Sequence, residues 1–130
     1  LGAEGLEFHD GGAPSPGHHR LDRSGFLAGI GDIVLSRRGM GTSYHLSVVV
    51  DDAAQGITLV TRGADLFEAT WIHVLLQGLL KLPQPGYYHH RLIRDESGRR
   101  LAKRDDARSL RELRAQGAGP DDIRRLLMLP

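Results

Sequence analysis

Two short apolar runs, separated by glycines, open the patterned part of the chain. Residues 32–37 form a compact β-branched run, and residues 44–50 end in three consecutive valines. We predict that the two runs form a hairpin, in which the valine run is a strand buried on both faces. Asp51 and Asp52 follow this run directly. We therefore expect both carboxylates at the sheet edge where open α/β sheets bind ligands.

The next apolar runs predict a third strand, a helix and a fourth extended segment. A strand over residues 57–61 would deliver Arg62 to the same sheet edge. Helical spacing of apolar residues predicts a mostly buried helix over residues 71–81, with Thr70 as its N-cap. Residues 87–93 then favour a short strand.

The two ends of the chain have different patterns. Residues 1–30 are rich in Gly, Pro and His, so we predict an irregular connecting segment with a short strand near residues 6–8. Residues 106–116 and 120–127 predict two small helices. The fold class is α/β, with domain boundaries at residues 1–30, 31–104 and 105–130.

Composition narrows the class of protein. The 130 residues are 40% apolar and 25% charged with a formal net charge of +1, which is ordinary for a single globular domain and too small a charge to indicate nucleic-acid binding by itself. The chain has no cysteine, which excludes disulfides, thiolate zinc sites and a cysteine nucleophile. The seven histidines lack metal-ligand spacing, so we expect no metal site in this chain. The apolar run over residues 71–82 is too short to cross a bilayer and no signal peptide is visible, so we expect no membrane association and a cytoplasmic protein.

Two candidate anion-binding features emerge, each with an alternative. Arg62 at the end of a strand is suited to hold a carboxylate or phosphate bidentately, or forms a surface ion pair with a nearby aspartate at position 51, 52 or 65. Residues 98–104, Gly-Arg-Arg-Leu-Ala-Lys-Arg, are suited to a polyphosphate, or are a basic loop on a solvated surface.

Four motifs stand in a fixed order and carry a family resemblance. They are GDIVLSRR at 31–38, SYHLSVVVDDAAQGITLVTRGADL at 43–66, a helix from ATW into PQPGYYHH at 69–90, and GRRLAKR at 98–104. Together they resemble the second half of the catalytic domain of glutamyl-tRNA synthetase-like class I enzymes. Within this family, the chain resembles the short paralogue without an anticodon-binding domain better than the full synthetase. The resemblance implies the C-terminal half of a Rossmann-type catalytic domain, followed by two small helices.

The resemblance also implies roles for individual residues. Tyr44 matches the tyrosine that contacts bound glutamate, and Arg62 matches the arginine that completes the amino-acid pocket. In the loop at 98–104, Lys103 matches the second lysine of the Lys-Met-Ser-Lys-Ser-type signature, which stabilises ATP phosphates, and Arg100 stands at the first lysine.

Two residues before the loop also have family counterparts, whereas one residue within the loop departs from the family pattern. Leu92 and Ile93 match the segment that lies along the adenine of ATP. Ala102 departs from the pattern, since it replaces the signature serine.

The implied parent enzyme activates glutamate with ATP, with Mg²⁺ expected, and transfers it to a tRNA nucleoside, expected to be the queuosine of tRNA(Asp). The alternatives are a fragment of an ordinary glutamyl-tRNA synthetase and a non-catalytic remnant that binds tRNA or a nucleotide. Residues 1–130 contain no His-Ile-Gly-His-type motif and none of the paralogue's zinc-binding cysteines, which would lie upstream. The first residue is not methionine, so we expect a processed or truncated product. Because class I chemistry needs both signature motifs, we expect its isolated activity to be nil or very low.

Overall fold

The computed structural model describes residues 5–12, 14–39, 41–94, 98 and 109–127, in two compact units, Leu1–Arg91 and Leu92–Pro130. None of the helices in these described stretches is long and apolar enough to cross a membrane. The strands and helices of the first unit are β1 (Leu6–Asp10), β2 (Gly17–Leu21), α1 (Arg23–Gly29), β3 (Ser36–Arg37), β4 (Gly41–Thr42), α2 (Tyr44–Gln55), β5 (Leu59–Gly63), a 3-10 turn (Ala64–Leu66), α3 (Phe67–Leu80) and β6 (Gly86–His90). The second unit contains α4 (Leu110–Ala115) and α5 (Pro120–Leu127).

A four-stranded mixed sheet in the order β2-β1-β6-β5 organises the first unit. β1 and β2 are antiparallel, whereas β6 is parallel to both β1 and β5. The α3 helix connects β5 to β6, which is the crossover that parallel neighbours require. The predicted α/β class is confirmed. Because β1, β5 and β6 run the same way, their carboxyl ends lie at one edge of the sheet.

The main core lies where α3 covers the sheet. Phe8 of β1 is buried, and its ring packs edge-on against Trp71 of α3 and Tyr87 of β6, with centroids 4.6 and 5.4 Å away. Such aromatic pairs add to the apolar area that they bury. This packing holds α3 against the strands whose ends carry the polar residues described below. The buried residues of this cluster are Leu6, Phe8, Phe26, Trp71, Val74 and Tyr87.

The predicted strand over residues 44–50 is wrong, because this segment is the first half of α2. The Ser43 side chain accepts a hydrogen bond from the Leu46 N–H and caps the helix start, and Gly56 ends the helix in the left-handed conformation at φ 67°. Val49 packs against α3, whereas Val50 is exposed, so the valine run is not buried on both faces. Valine favours strands, but this preference is weak. Here the caps at Ser43 and Gly56 and the packing against α3 outweigh it.

The expected sheet-edge position of Asp51 and Asp52 is also wrong, since both residues lie within α2. The predicted strand over residues 32–37 is reduced to Ser36–Arg37, which pairs only with Gly41–Thr42 in a small separate hairpin. Burial does alternate over Ile33, Val34 and Leu35, with Ile33 and Leu35 packing inward. The alternation is therefore real, but among the described residues no neighbouring strand pairs with 33–35 in a ladder of hydrogen bonds.

The helix predicted over residues 71–81 is confirmed, although it starts earlier, at Phe67. Thr70 is not its N-cap. The Thr70 side chain is fully buried inside the first turns of α3 and donates to the Leu66 carbonyl at 3.3 Å. The strand predicted over residues 57–61 is confirmed as β5, and the one over residues 87–93 as the shorter β6.

The prediction that residues 1–30 are irregular is wrong for the described part of this segment. It contains β1, β2 and α1, and the short strand expected near residues 6–8 is confirmed as part of β1. Gly and Pro concentrate in the turn between β1 and β2, whereas Leu6 and Phe8 alternate into the core. The division of the chain into three segments stays a prediction.

The two predicted C-terminal helices are confirmed as α4 and α5. Ser109 caps α4 by accepting from the Glu112 N–H at 3.1 Å, and Pro120 opens α5 with Asp121 and Asp122 in its first turn. The first of these helices was expected to begin at residue 106, but residues 106–108 lie outside the described part of the chain.

Candidate functional site

Three polar residues meet at the carboxyl edge of the sheet. Asp10 is the last residue of β1, Arg62 is near the end of β5, and His89 is near the end of β6. The register pairs Arg62 directly with His89. This is the edge at which open α/β sheets bind ligands. The strand directions therefore explain why residues so distant in sequence form one cluster.

Arg62 lies at the centre of this cluster and is only 9% exposed. Its Nε donates to His89 Nε2 at 3.0 Å, its Nη1 to His73 Nδ1 at 3.0 Å, and its Nη2 to Thr70 Oγ1 at 2.6 Å. The guanidinium carbon also lies 5.4 Å from the centroid of the Tyr87 ring. The alternative of a surface ion pair is wrong, because the side chain is buried and held by three neutral acceptors.

His89 links Arg62 to the Asp10 carboxylate. Because Nε2 of His89 accepts from Arg62, the neutral ring carries its proton on Nδ1 and donates it to Asp10 Oδ2. Burial lowers the pKa of His89, although Asp10 opposes this shift, and the ring stays neutral near neutral pH. Burial raises the pKa of Asp10, but the N–H groups of Gly12 and His89 outweigh it and lower this pKa below its usual value.

His73 extends the cluster on the other side of Arg62. The ring is 2% exposed, and burial together with the Arg62 charge lowers its pKa to about 3. Because Nδ1 accepts from Arg62, the neutral ring donates from Nε2 to His45 Nδ1 at 3.1 Å. Burial and the Arg62 charge also lower the pKa of His45. Both rings are therefore neutral neighbours of a single buried cation.

Tyr44 and Arg62, the two predicted glutamate-binding residues, both contact His73. Tyr44 is the first residue of α2 and is 54% exposed. Its ring centroid lies 5.7 Å from that of His73, which in turn accepts from Arg62. Thus the His73 imidazole connects the exposed Tyr44 to the buried guanidinium of Arg62.

This arrangement is chemically suited to a carboxylate. Arginine has five N–H donors, of which Arg62 uses three in the hydrogen bonds above, leaving one on each terminal nitrogen. Two such donors match the two oxygens of a carboxylate. Since Asp10 balances the Arg62 charge through His89, the cluster is neutral before a ligand binds, and its donors are already oriented.

Of the remaining predicted site residues, the structure describes only Leu92 and Ile93. Leu92 and Ile93, expected along the adenine, are half-buried residues of the second unit in no helix or strand. Lys103 and Arg100, expected on the ATP phosphates, lie outside the described residues, as does Ala102. Over the stretches that the structure does describe, no group of three or more His, Asp or Glu side chains is placed to hold a metal ion.

The sequence predicted no role in the site for Asp10, His89 or Thr70, and predicted Thr70 only as a helix N-cap. A signal for Asp10 was present, since strict alternation over Leu6, Phe8 and Asp10 places the carboxylate on the buried face of β1. A carboxylate at such a position requires hydrogen-bond donors. No local signal identifies the two donors of His89, its backbone N–H and its ring Nδ1–H, because they come from a strand 79 residues later.

Comparison with known proteins places this cluster in a family. Residues 25–129 match the profile of "tRNA synthetases class I (E and Q), catalytic domain". The chain is 60% identical over 129 residues to a protein of Rhodobacter capsulatus named Glutamyl-Q tRNA(Asp) synthetase, covering 99% of this chain and 46% of that protein. A protein of Geobacter sulfurreducens with the same name is 43% identical over 118 residues, covering 88% of this chain and 36% of that one. The chain thus spans less than half the length of these relatives.

Solved structures agree with the sequence comparison. A glutamate tRNA ligase from Elizabethkingia meningosepticum, in complex with its amino acid, matches with a TM-score of 0.63 and 27% identity over 77% of this chain and 19% of that one. The glutamate-tRNA synthetase from Elizabethkingia anophelis matches with a TM-score of 0.60, 25% identity and the same coverage. The resemblance seen in the motifs is confirmed, and the chain belongs to the catalytic-domain family of class I tRNA synthetases for glutamate and glutamine.

Proposed function

We propose that this chain is part of an ATP-dependent ligase that activates glutamate and transfers it to the queuosine of tRNA(Asp). The observation that carries this proposal is the buried Arg62, with one N–H left on each terminal nitrogen, joined through the His73 ring to the exposed Tyr44. Support also comes from the relatives above, which are named Glutamyl-Q tRNA(Asp) synthetase.

In the proposed reaction, Arg62 binds a carboxylate of glutamate through its two remaining N–H groups, and Tyr44 adds a directed hydrogen bond. A glutamate α-carboxylate oxygen attacks the α-phosphorus of ATP, which enters as its Mg²⁺ complex. A new oxygen–phosphorus bond forms and the bond to pyrophosphate breaks. The tRNA nucleoside then takes the glutamyl group and AMP leaves. Catalysis consists of positioning and charge stabilisation, and no covalent enzyme intermediate is required.

We assign the leaving pyrophosphate to Lys103 and Arg100, and the adenine to the backbone at Leu92 and Ile93. These assignments rest on the order of motifs in the sequence. A mobile ammonium suits the changing charge on the phosphates, and a guanidinium can hold two phosphate oxygens. We also expect the 130-residue chain alone to be inactive, because class I chemistry sets this loop against a His-Ile-Gly-His-type motif that residues 1–130 do not contain.

The test uses the protein encoded by the complete natural gene and measures glutamate-dependent exchange of pyrophosphate into ATP. We expect Lys103→Ala to lower the exchange rate at least about 100-fold, as loss of a transition-state charge contact does. Lys81→Ala is the matched control, because Lys81 is the exposed C-cap of α3. Absence of exchange in the wild type, or an unchanged rate in Lys103→Ala, would contradict the assignment.

The acceptor is tested separately with purified tRNAs. We expect glutamyl transfer to tRNA(Asp) that contains queuosine, and none to the same tRNA without it. Transfer to tRNA(Glu) instead would identify the chain as part of an ordinary glutamyl-tRNA synthetase. Binding of tRNA or nucleotide without exchange would identify a non-catalytic remnant.

A further inference from the structure

The Asp10 carboxylate is one of the most buried groups in the described structure, and it accepts hydrogen bonds from Gly12 and from His89, which is itself a hydrogen-bond partner of Arg62. Asp10 is 1% exposed. Its Oδ1 accepts from the Gly12 N–H at 2.8 Å and the His89 N–H at 3.0 Å, and its Oδ2 accepts from His89 Nδ1. A buried carboxylate is costly unless such donors satisfy it. Three hydrogen-bond donors therefore hold the charged Asp10 carboxylate next to His89.

His89 connects Asp10 to Arg62 through its two ring nitrogens. It donates from Nδ1 to Asp10 and accepts at Nε2 from Arg62 Nε, so it joins a carboxylate to a guanidinium in one direction only. Thr70 Oγ1 lies 3.2 Å from the same Nε2 and accepts from Arg62 Nη2. The orientation of Arg62 thus depends on which nitrogen of His89 carries the proton.

We propose that Asp10 and His89 are positioning residues for Arg62: the Asp10 carboxylate fixes His89 in its Nδ1–H tautomer, and the bare Nε2 aims the guanidinium at the substrate carboxylate. The inference deepens the proposed function and rests on it for the identity of the ligand. Asp10 lies outside residues 25–129, the part matched by the family profile. Membership of the family therefore does not assign this role to it.

Replacement of Asp10 by asparagine preserves side-chain shape and reverses one hydrogen bond, the one between residue 10 and His89 Nδ1. The Asn amide oxygen can still accept from the backbone N–H groups of Gly12 and His89, so its NH₂ group faces His89 Nδ1. The ring must then accept at Nδ1 and carry its proton on Nε2. Two N–H groups, from His89 Nε2 and Arg62 Nε, would point at each other, and Arg62 has to turn away.

The kinetic test compares Asp10→Asn with Asp22→Asn in the complete natural protein. Asp22 is the exposed N-cap of α1, where asparagine is an equally good cap, so this control should behave as wild type. We expect Asp10→Asn to raise the KM for glutamate at least about tenfold and to leave the KM for ATP within about twofold, because only the glutamate contact depends on Arg62. Equal KM values for glutamate in both variants, or equal rises for glutamate and ATP, would overturn the proposal.

A direct measurement of the tautomer supports or overturns the proposal without an activity assay. In protein labelled with ¹⁵N at the histidine rings, two-bond proton–nitrogen correlations report which nitrogen of His89 is protonated. We expect Nδ1 in the wild type and Nε2 in Asp10→Asn; a wild-type proton on Nε2 would overturn the proposal even if Asp10→Asn did not fold. Wild-type protein without glutamate-dependent exchange, but with His89 protonated on Nδ1, would contradict the proposed function and support the positioning.

Discussion

The imidazole of His89 lies between Arg62 and Asp10, accepting from the one and donating to the other. A buried cation and a buried carboxylate thus balance each other without touching. Direct burial of two charges costs several kcal/mol per ion in desolvation unless hydrogen bonds satisfy both. Here each guanidinium nitrogen and each carboxylate oxygen has at least one partner, and no buried polar side-chain atom of the described residues lacks one.

The first prediction concerns the guanidinium itself. Arg62→Lys replaces a planar fork with a single ammonium, which cannot reach His89, His73 and Thr70 together. We expect the free energy of unfolding to fall by about 2–3 kcal/mol, since hydrogen bonds to a buried charged group are lost. Urea unfolding of the chain measures this value.

The control for this substitution is Arg23→Lys, in the exposed first turn of α1. Its effect should stay within about 0.5 kcal/mol, as is usual for exposed substitutions. Equal effects of the two variants would show that Arg62 does not act as a fork.

The second prediction concerns acid stability. Because the pKa of His73 is lowered to about 3 in the folded chain, the unfolded chain binds a proton between about pH 6.5 and 3 that the folded chain does not. Stability is therefore full above this window and falls as the pH falls. Between pH 7 and pH 5, this one residue accounts for a loss of about 2 kcal/mol. The lowered pKa values of His45 and His89 act in the same direction.

His73→Gln separates this contribution from the others. A glutamine can accept from Arg62 with its oxygen and donate to His45 with its nitrogen, but it does not titrate. The variant should lose about 2 kcal/mol less than wild type between pH 7 and pH 5 in urea unfolding. Identical pH profiles would show that His73 is not held neutral in the fold.

The third prediction tests the hydroxyl of Thr70. Thr70→Val keeps the shape of the side chain but removes the acceptor 2.6 Å from Arg62 Nη2. We expect a loss of about 1.5–3 kcal/mol in the free energy of unfolding, because a buried charged donor is left unpaired. Thr70→Ser keeps the hydroxyl and should cost only about 1 kcal/mol for the missing methyl group. A larger loss for serine than for valine would contradict the role of the hydroxyl.

The fourth prediction concerns the turn that follows β1. A Cβ atom at Gly12 would lie 2.1 Å from the His89 carbonyl oxygen and 2.5 Å from the His89 nitrogen, and backbone atoms cannot move aside cheaply. Gly12→Ala should therefore cost more than about 2 kcal/mol. Gly78→Ala is the control, since Gly78 is exposed inside α3 with open space at its Cβ position. This variant should gain about 0.5–1 kcal/mol in urea unfolding. Similar changes in both variants would show that Gly12 does not require close approach.

The sequence predicted correctly those helices for which several local sequence features agree. Helix α3 combines helical spacing with a break at Pro83, and α5 combines an N-terminal proline with two acids. The segment 44–50 was misassigned because its two signals conflict. The valines favour a strand, whereas Ser43 and Gly56 cap a helix, and packing against Ile72 and Leu76 decides in favour of the helix.

The sequence by itself determined the family and the candidate roles of Tyr44 and Arg62, since motif order and side-chain chemistry are local properties of the chain. Only the tertiary structure decided that His89, Thr70 and His73 surround Arg62 and that Asp10 binds His89. The physical reason lies in strand direction. Three parallel strands bring their carboxyl ends to one edge, so the partners of a buried charge come from positions up to 79 residues apart, which no pattern along the chain encodes.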